Sequence, residues 1–230
     1  MRILLVGHGK MGRLVEALAP EHGCTIVGIV DPDSPAHSGT IDDERWGEAD
    51  VAIDFTAPDA VVANVSALAR RRINVVLGTT GWQRHEAVLR KVVADAGSGI
   101  VAAPNFSTGV VLFEAIVTAA AGLFAASDQF GAFLHESHHA MKKDAPSGTA
   151  LQLKRAMEEA GFSRPIDVAS TRAGFIPGTH TIGFDGPSES ITLSHTARDR
   201  GAFARGALTA ARWVRGRQGW FTMRDVLGIH

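Results

Sequence analysis

The stretch that most constrains the fold is Arg2-Ile-Leu-Leu-Val-Gly-His-Gly-Lys-Met-Gly12. It is an aliphatic strand that breaks into Gly7-x-Gly9-x-x-Gly12 and continues as the helix-forming segment Arg13-Leu-Val-Glu-Ala-Leu-Ala19. In a dinucleotide-binding unit the first glycine makes a tight turn, the second lets the main chain approach a pyrophosphate, and the third lets helix pack on strand. Among 25 glycines the pattern could arise by chance. The strand before it and the helix after it are the context that gives it meaning. A second strand, Thr25–Val30, ends at Asp31, near the offset of about 20 residues at which a carboxylate meets the hydroxyls of an adenosine ribose.

Three more short apolar runs lead straight into loops of small polar residues. Val51–Ile53 precedes Asp54-Phe-Thr56, Ile73–Leu77 precedes Gly78-Thr-Thr-Gly81, and Ile100–Ala103 precedes Pro104-Asn-Phe-Ser107, with helical stretches at 59–70 and 84–96 between them. Any one such loop is explained by Gly and Thr being good turn residues. Five in succession imply a parallel sheet built from βα units, whose ligands collect at the carboxyl ends of the strands.

After Asn105 the pattern changes. Residues 109–126 are apolar except for Glu114 and read as a buried amphipathic helix. A strand over 130–136, a helix from Ser147, and β-like runs at 167–174, 180–185 and 190–195 follow, separated by turns such as Pro177-Gly178 and Gly186-Pro187. A last helix at 203–215 is expected to pack back on the first sheet. The expected fold class is therefore α/β: a Rossmann-like parallel-sheet domain of residues 1–106 and 204–230, plus an inserted α+β domain, 107–203, with a mixed or antiparallel sheet.

The densest chemistry lies in His135-Glu-Ser-His-His-Ala-Met-Lys-Lys-Asp-Ala-Pro-Ser-Gly-Thr-Ala150. Residues 150–160 are strong helix formers, Gly161 can end the helix, and Ser147 or Thr149 can cap its start. First-turn amides near Gly148 and Thr149, with Lys142, suit a carboxylate. His138 and His139 can share one ligand only if the strand ends near them and the chain turns. The letters His135-Glu-Ser-His-His139 also match the H-E-x-x-H zinc pattern. That chemistry needs the two histidines one helical turn apart, about 6 Å. A strand separates them by roughly 13 Å, so no metal is expected.

Balanced charge, 23 Lys+Arg against 24 Asp+Glu and well interspersed, leaves no electrostatic footprint for nucleic acid. Cys24 has no cysteine to pair with and reads as a packing residue, in keeping with a reducing cytoplasm. The Ile3–Val6 run is too short for a signal peptide, and no 18-residue apolar span is expected, hence no export and no membrane crossing.

Taken together, Gly7–Gly12, Gly78–Gly81, Asn105-Phe106, Glu136–Thr149 and Arg172-Ala-Gly-Phe-Ile-Pro-Gly-Thr-His180 resemble the dihydrodipicolinate reductases, now called 4-hydroxy-tetrahydrodipicolinate reductases, of bacterial lysine biosynthesis. The likeness spans essentially the whole chain, and the E-x-H-H-x-x-K-x-D-A-P-S-G-T string is highly specific. The resemblance implies an enzyme that uses NADH or NADPH to reduce the cyclic imine dicarboxylate derived from (2S,4S)-4-hydroxy-2,3,4,5-tetrahydrodipicolinate. The product is tetrahydrodipicolinate, on the way to diaminopimelate and lysine. Its cofactor would lie across Gly7, His8, Gly9, Lys10, Met11 and Gly12, with Asp31 at the adenosine ribose. Gly78, Thr79, Thr80, Ala103, Pro104, Asn105 and Phe106 would hold the nicotinamide end. His138 corresponds to a proton donor or acceptor and Lys142 to the proton donor. His139, Gly148 and Thr149 would meet the small-molecule dicarboxylate; the residues themselves add Ser147, at the helix start, and Arg172, by its charge, as further substrate-binding candidates. Kinship also implies a homotetramer formed through the second-domain sheets.

Those roles fit the residues. Hydride addition to a conjugated imine leaves an electron-rich nitrogen that needs a proton, which Lys or His can give near neutral pH. His8 stands where small residues are common in such loops, so it would crowd a pyrophosphate or bond to it. Asp31-Pro-Asp33 offers carboxylates and no arginine, so NADH is expected to serve at least as well as NADPH, with Lys10 and Arg13 as the offsetting charges. Short-chain reductases need a catalytic tyrosine and this chain has none. Other two-domain dehydrogenases, and a non-catalytic dinucleotide sensor, are the remaining rivals.

Overall fold

The computed structural model describes residues 1–34, 36–37, 40–42 and 44–229. The chain divides into two compact units, Met1–Thr108 with Arg200–His230, and Gly109–Asp199.

The first unit begins with β1 (Arg2–Val6), α1 (Lys10–Leu18), β2 (Thr25–Val30) and β3 (Val51–Asp54). It continues with α2 (Val61–Arg70), β4 (Asn74–Leu77), α3 (Glu86–Ala96) and β5 (Gly99–Ala102). Every residue of β3, β4 and β5, and all of β1 after Arg2, is buried. Strands covered on both faces by helices must be apolar on both faces, which is why they read as Val/Ile/Leu/Ala runs with Asp54, Asn74 and Gly99 only at their ends. Each such Leu or Ile removed from water contributes about 1.5–3 kcal/mol. β2 is an edge strand and is only partly covered. Trp46, buried in a short 3₁₀ turn at Glu44–Glu48, lies against Gly28, where an added Cβ would stand 2.1 Å from the indole ring.

The second unit contains α4 (Thr108–Ala125), whose first residue belongs to the first unit, then β6 (Gly131–His138), α5 (Gly148–Glu159), β7 (Ile166–Arg172), β8 (Gly178–Asp185) and β9 (Ser190–Ala197). Its sheet runs β7-β6-β8-β9, with β6 and β7 parallel and the other pairs antiparallel, which is the mixed sheet expected. The core sits between this sheet and the helices. Phe113, Val117 and Ala121 of α4 and Leu153 and Met157 of α5 pack with Leu134, Ile182 and Phe184.

Two expectations about α4 are corrected. It is apolar on all sides rather than amphipathic, leaving Leu112, Ile116 and Leu123 exposed beside the buried face. With 18 residues and a mean hydropathy of 1.9 it is also long and apolar enough to cross a membrane, contrary to the expectation that no such segment exists. Its inner face packs into the core of the second unit.

The chain then returns to the first unit through α6 (Gly201–Val214), β10 (Gly219–Phe221) and α7 (Met223–Leu227). The completed sheet is β10-β5-β4-β3-β1-β2, parallel throughout. α6 packs on β3, β4, β5 and α1, as expected. Asn74 ties it down: its side-chain N–H groups donate to the carbonyls of Val214 and Arg217 (2.9 Å to the latter), and its Oδ1 accepts from Gly99 N. β10 and α7 go beyond the expected elements, since three residues, Gly-Trp-Phe, carry no periodicity.

Candidate active site

The chain leaves β1 to form β2 on one side and β3 on the other, so the β1/β3 boundary is the switch point at which ligands of open parallel sheets bind. A cavity of about 820 Å³ opens there, lined by Gly7, His8, Gly9, Asp31, Thr56 and Asn64 among others. The three glycines differ in the space around them. Gly7 has φ +89°, and a Cβ on it would lie 2.4 Å from the Phe55 carbonyl oxygen; one on Gly12 would lie 2.2 Å from the Gly7 carbonyl oxygen. A Cβ on Gly9 would meet nothing within 4 Å, which is the open approach a bound pyrophosphate requires.

Asp31 closes this turn. Its carboxylate accepts from His8 N at 2.8 Å and from Asp33 N at 3.0 Å. His8 has both ring nitrogens engaged, Nε2 with Glu16 at 2.7 Å and Nδ1 with His37 Nε2 at 3.1 Å. Its imidazole is thus held by side chains of the same unit. Lys10 and Met11 form the first turn of α1, and Arg13 Nε donates to His8 O.

Gly78–Thr80 and Ala103–Phe106 lie at the carboxyl ends of β4 and β5, the next two strands along. Phe55 organises them, though nothing in its sequence context singles it out. A Cβ on Gly78 would stand 2.1 Å from its ring, and the ring meets Phe106 edge to face at 6.2 Å. Behind it, the buried Asp54 accepts from the hydroxyls of Thr56 and Thr79, from Thr56 N and from Asn64. Burial raises the pKa of Asp54 against those hydrogen bonds. Thr79 is therefore a buried support of the loop, while Thr80 is exposed. Asn105 caps its own turn by accepting from Ser107 N. α6 closes on Phe106 so tightly that a Cβ on Gly206 would overlap the Phe106 carbonyl, 1.7 Å away.

In the second unit β6 ends at His138 and the chain turns at Ala140–Met141, as required for His138 and the residues after it to serve one ligand. Ser147 rather than Thr149 caps α5, its Oγ accepting from Ala150 N at 3.2 Å. Strand geometry turns His135 to the face opposite Glu136, where it bonds to Thr171, so the one-turn histidine pair of a zinc protease does not form. Lys143 is exposed.

The centre of the cluster is Glu136, fully buried. Arg172 grips it with both guanidinium nitrogens, at 2.6 and 2.8 Å, and Ser147 N and His138 Nδ1 bond to it at 3.2 and 2.5 Å. Burial acts to raise its pKa, but the bonds from Arg172, Ser170, His138 and Ser147 N outweigh it and bring the value down to about 2. Because the carboxylate can only accept, Nδ1 of His138 carries the hydrogen, and Nε2 has no hydrogen-bond partner among the described residues. Burial lowers the His138 pKa against the pull of Glu136, so the ring is neutral at neutral pH. Gly178 makes room for it: a Cβ there would lie 3.0 Å from Nε2.

Arg172 differs from its expected part. The guanidinium assigned to a substrate carboxylate gives its fork to Glu136, and donates further to the carbonyls of Asp144 and Thr171. An unpaired Glu136 in the core would be costly, which is the physical reason. Lys142 Nζ bonds both oxygens of Asp144, at 2.7 and 2.9 Å, and Asp144 Oδ2 also accepts from Gly148 N at 3.3 Å. The side chain of His139 is half-buried and makes no hydrogen bond among the described residues. Beneath the cluster His180 bonds through Nε2 to Ser147 Oγ at 2.9 Å and meets His138 edge to face.

Burial, and then repulsion from His138, lower the His180 pKa to about 4. The folded protein thus binds that proton less tightly than the unfolded chain. Stability from this group is full above the ordinary value of 6.5 and is lost as pH falls from there toward about 4. His180→Asn, which keeps an acceptor for Ser147, is expected to flatten the decline; melting temperatures followed through that window give the test, and an undiminished slope would contradict it.

The glycine turn on a parallel sheet, and a second unit with its own mixed sheet, define the class: an oxidoreductase with a dinucleotide-binding fold. Residues 1–106 match the family model for the dihydrodipicolinate reductase N-terminus and residues 109–227 that for the C-terminus. A 4-hydroxy-tetrahydrodipicolinate reductase of Christiangramia forsetii is 34% identical over 99% of this chain and 98% of its own length. One from Rhodopseudomonas palustris (strain BisA53) is 38% identical over 100% and 97%. The dipicolinate-bound dihydrodipicolinate reductase of Paenisporosarcina sp. TG-14 shares the fold, with a TM-score of 0.83 over 98% of both chains at 22% identity. The chain belongs to the dihydrodipicolinate reductase family.

Proposed function

We infer that the protein transfers a hydride from a reduced nicotinamide dinucleotide to the cyclic imine dicarboxylate derived from (2S,4S)-4-hydroxy-2,3,4,5-tetrahydrodipicolinate, yielding tetrahydrodipicolinate in lysine and diaminopimelate biosynthesis. The observation that carries this reading is that Lys142 and the capped amino end of α5 stand beside the Glu136–His138 pair, offering a cation, N–H donors and a neutral imidazole to one small anion.

The residues suited to the dinucleotide are Gly7, Gly9 and Gly12 for the pyrophosphate, Asp31 for the adenosine ribose, and the loops Gly78–Thr80 and Ala103–Phe106 for the nicotinamide. When bound there, the reduced cofactor supplies the hydride. Everything else is the work of this chain. One ring carboxylate meets Gly148 N, Thr149 N and Lys142, since helix amino ends and ammonium groups favour carboxylates. His139 is free to meet the ring as well. Lys142 gives its proton to the nitrogen that becomes electron-rich, and neutral His138 presents the Nε2 lone pair. Arg172 acts at one remove, by holding the carboxylate that orients His138.

The decisive assay mixes the protein and NADH with substrate made in situ from pyruvate and aspartate semialdehyde, and follows NADH absorbance. A fall in absorbance that depends on both precursors is expected. Oxidation without them, or none with them, would refute the reading.

Asp31 and Asp33 at the end of β2 would repel a 2′-phosphate, and the Asp31 carboxylate is already fixed by His8 N. We therefore propose that kcat/KM for NADH equals or exceeds that for NADPH. Steady-state rates with each cofactor test this, and a strong preference for NADPH would overturn it. We propose also a cytoplasmic homotetramer; the exposed Phe133 and Ile191 of the second-unit sheet support assembly, and light scattering on the purified protein checks the fourfold mass.

A further inference from the structure

The ammonium of Lys142 and the Gly148 N–H, both assigned above to a substrate carboxylate, are not idle in this structure. Asp144 takes them both. Its two oxygens lie 2.7 and 2.9 Å from Lys142 Nζ, and Oδ2 accepts from Gly148 N at 3.3 Å. One internal carboxylate thus spans the same cation and the same helix N–H that a bound carboxylate would use. Gly148 N carries a single hydrogen, so two carboxylates cannot both have it on good terms. Their charges would also repel across a shared ammonium. The hydrogen bond to Lys142 is the largest of the influences that hold the Asp144 pKa below its ordinary value, so the competitor is ionised at neutral pH.

The rest of the helix start is arranged differently. Ser147 Oγ satisfies Ala150 N, and Ser147 O satisfies Leu151 N. Thr149 N has no acceptor among the described residues. Ser147 supplies the side-chain cap, and Asp144 adds the one bond to Gly148 N. Its side chain is 55% exposed, while that of Lys142 is 23% exposed. The carbonyl of Asp144 is anchored separately from its carboxylate, to Arg172 Nη2 at 2.6 Å. The main chain at Asp144 is held, and the carboxylate, being exposed, can swing into water once it gives up Lys142 and Gly148 N.

We propose that Asp144 is an internal competitor for the substrate-carboxylate subsite: it holds Lys142 and the α5 amino end together without ligand and is displaced when a dicarboxylate binds. This rests on the reading of the site given above, and adds a residue that lowers affinity. A simple support for Lys142 makes the opposite prediction, since its removal would loosen the ammonium and weaken binding.

The experiment titrates dipicolinate calorimetrically into the full-length protein saturated with reduced cofactor, for wild type, Asp144→Ala, Asp144→Asn and Lys142→Ala. Losing an exposed ion pair and one hydrogen bond before the ligand can enter is a modest barrier. Asp144→Ala is accordingly expected to tighten dipicolinate binding by roughly 3- to 10-fold, the scale of those interactions. Asp144→Asn, which drops the charge and keeps an acceptor, should tighten it less, and neither variant should raise KM for the substrate. If Asp144→Ala binds dipicolinate equally or more weakly while Lys142→Ala still loses affinity, the competition is refuted and the subsite stands. If neither Asp144→Ala nor Lys142→Ala alters binding, the subsite itself is misassigned and the proposal falls with it.

Discussion

Replacing Lys142 by alanine is expected to lower kcat by about 10²- to 10⁴-fold, the usual contribution of a positioned proton donor, while leaving the affinity for reduced cofactor within a small factor of wild type. The expectation follows from placement. Lys142 lies in the second unit, ahead of α5, whereas the glycine turn and the loops assigned to the cofactor belong to the first. A group that acts in the transition state lowers kcat and kcat/KM together. Steady-state rates with NADH varied at saturating substrate, beside direct titration of NADH, separate the two quantities. Equal loss of turnover and cofactor affinity would show that Lys142 holds the protein together rather than supplying a proton.

The second large effect is on stability. Glu136→Gln leaves Arg172 without its carboxylate and offers His138 a neutral amide oxygen in place of a charged one. Breaking a buried pair from one side costs about 3–5 kcal/mol. The lower end applies, because the Arg172 side chain keeps 17% exposure. A loss near 3 kcal/mol corresponds to a melting temperature lower by roughly 6–12 °C for a chain of this size. The pH dependence changes with it. The folded pKa of Glu136, about 2, lies below the ordinary 4.5, so its stabilisation is complete above that value and drains away as pH falls toward about 2. The variant should lose its part of this acid dependence. A Glu136→Gln protein that melts like wild type, with the same acid profile, would mean that the Arg172–Glu136 grip contributes nothing.

What can be read from the letters follows the strength of local signals. The strands of the first unit announce themselves because burial on both faces demands apolar runs, and Gly7, Gly9 and Gly12 need their spacing whatever surrounds them. Ser147 and Gly161 likewise mark α5 through cap chemistry that is local. Long-range partnerships stay hidden. Glu136 and Arg172 are paired because β6 and β7 run parallel side by side, which no spacing in the sequence encodes, and so a cation that looks available is in fact engaged. The same holds for Asn74, whose three partners lie in β5 and at or just beyond the end of α6. Phe55 passes unnoticed in a strand-end loop because its importance rests on two glycines, Gly7 and Gly78, that make way for it. β10 is too short to show any alternation, and the single charge of α4, Glu114, suggests a polar face where the structure has uncovered apolar side chains.

The insertion has a bearing on how the protein is made. β3, β4 and β5 emerge from the ribosome early, yet the helix that covers them begins at residue 201, and the strand that completes their sheet begins at 219. Until the second unit, residues 109–199, has been synthesised, that flank of the nascent sheet is bare and β5 is an open edge. Open apolar edges are where chains pair wrongly. The carboxamide of Asn74 waits for the carbonyls of Val214 and Arg217, which translation delivers only after the second unit, so the unit begun first is completed after the one inserted into it.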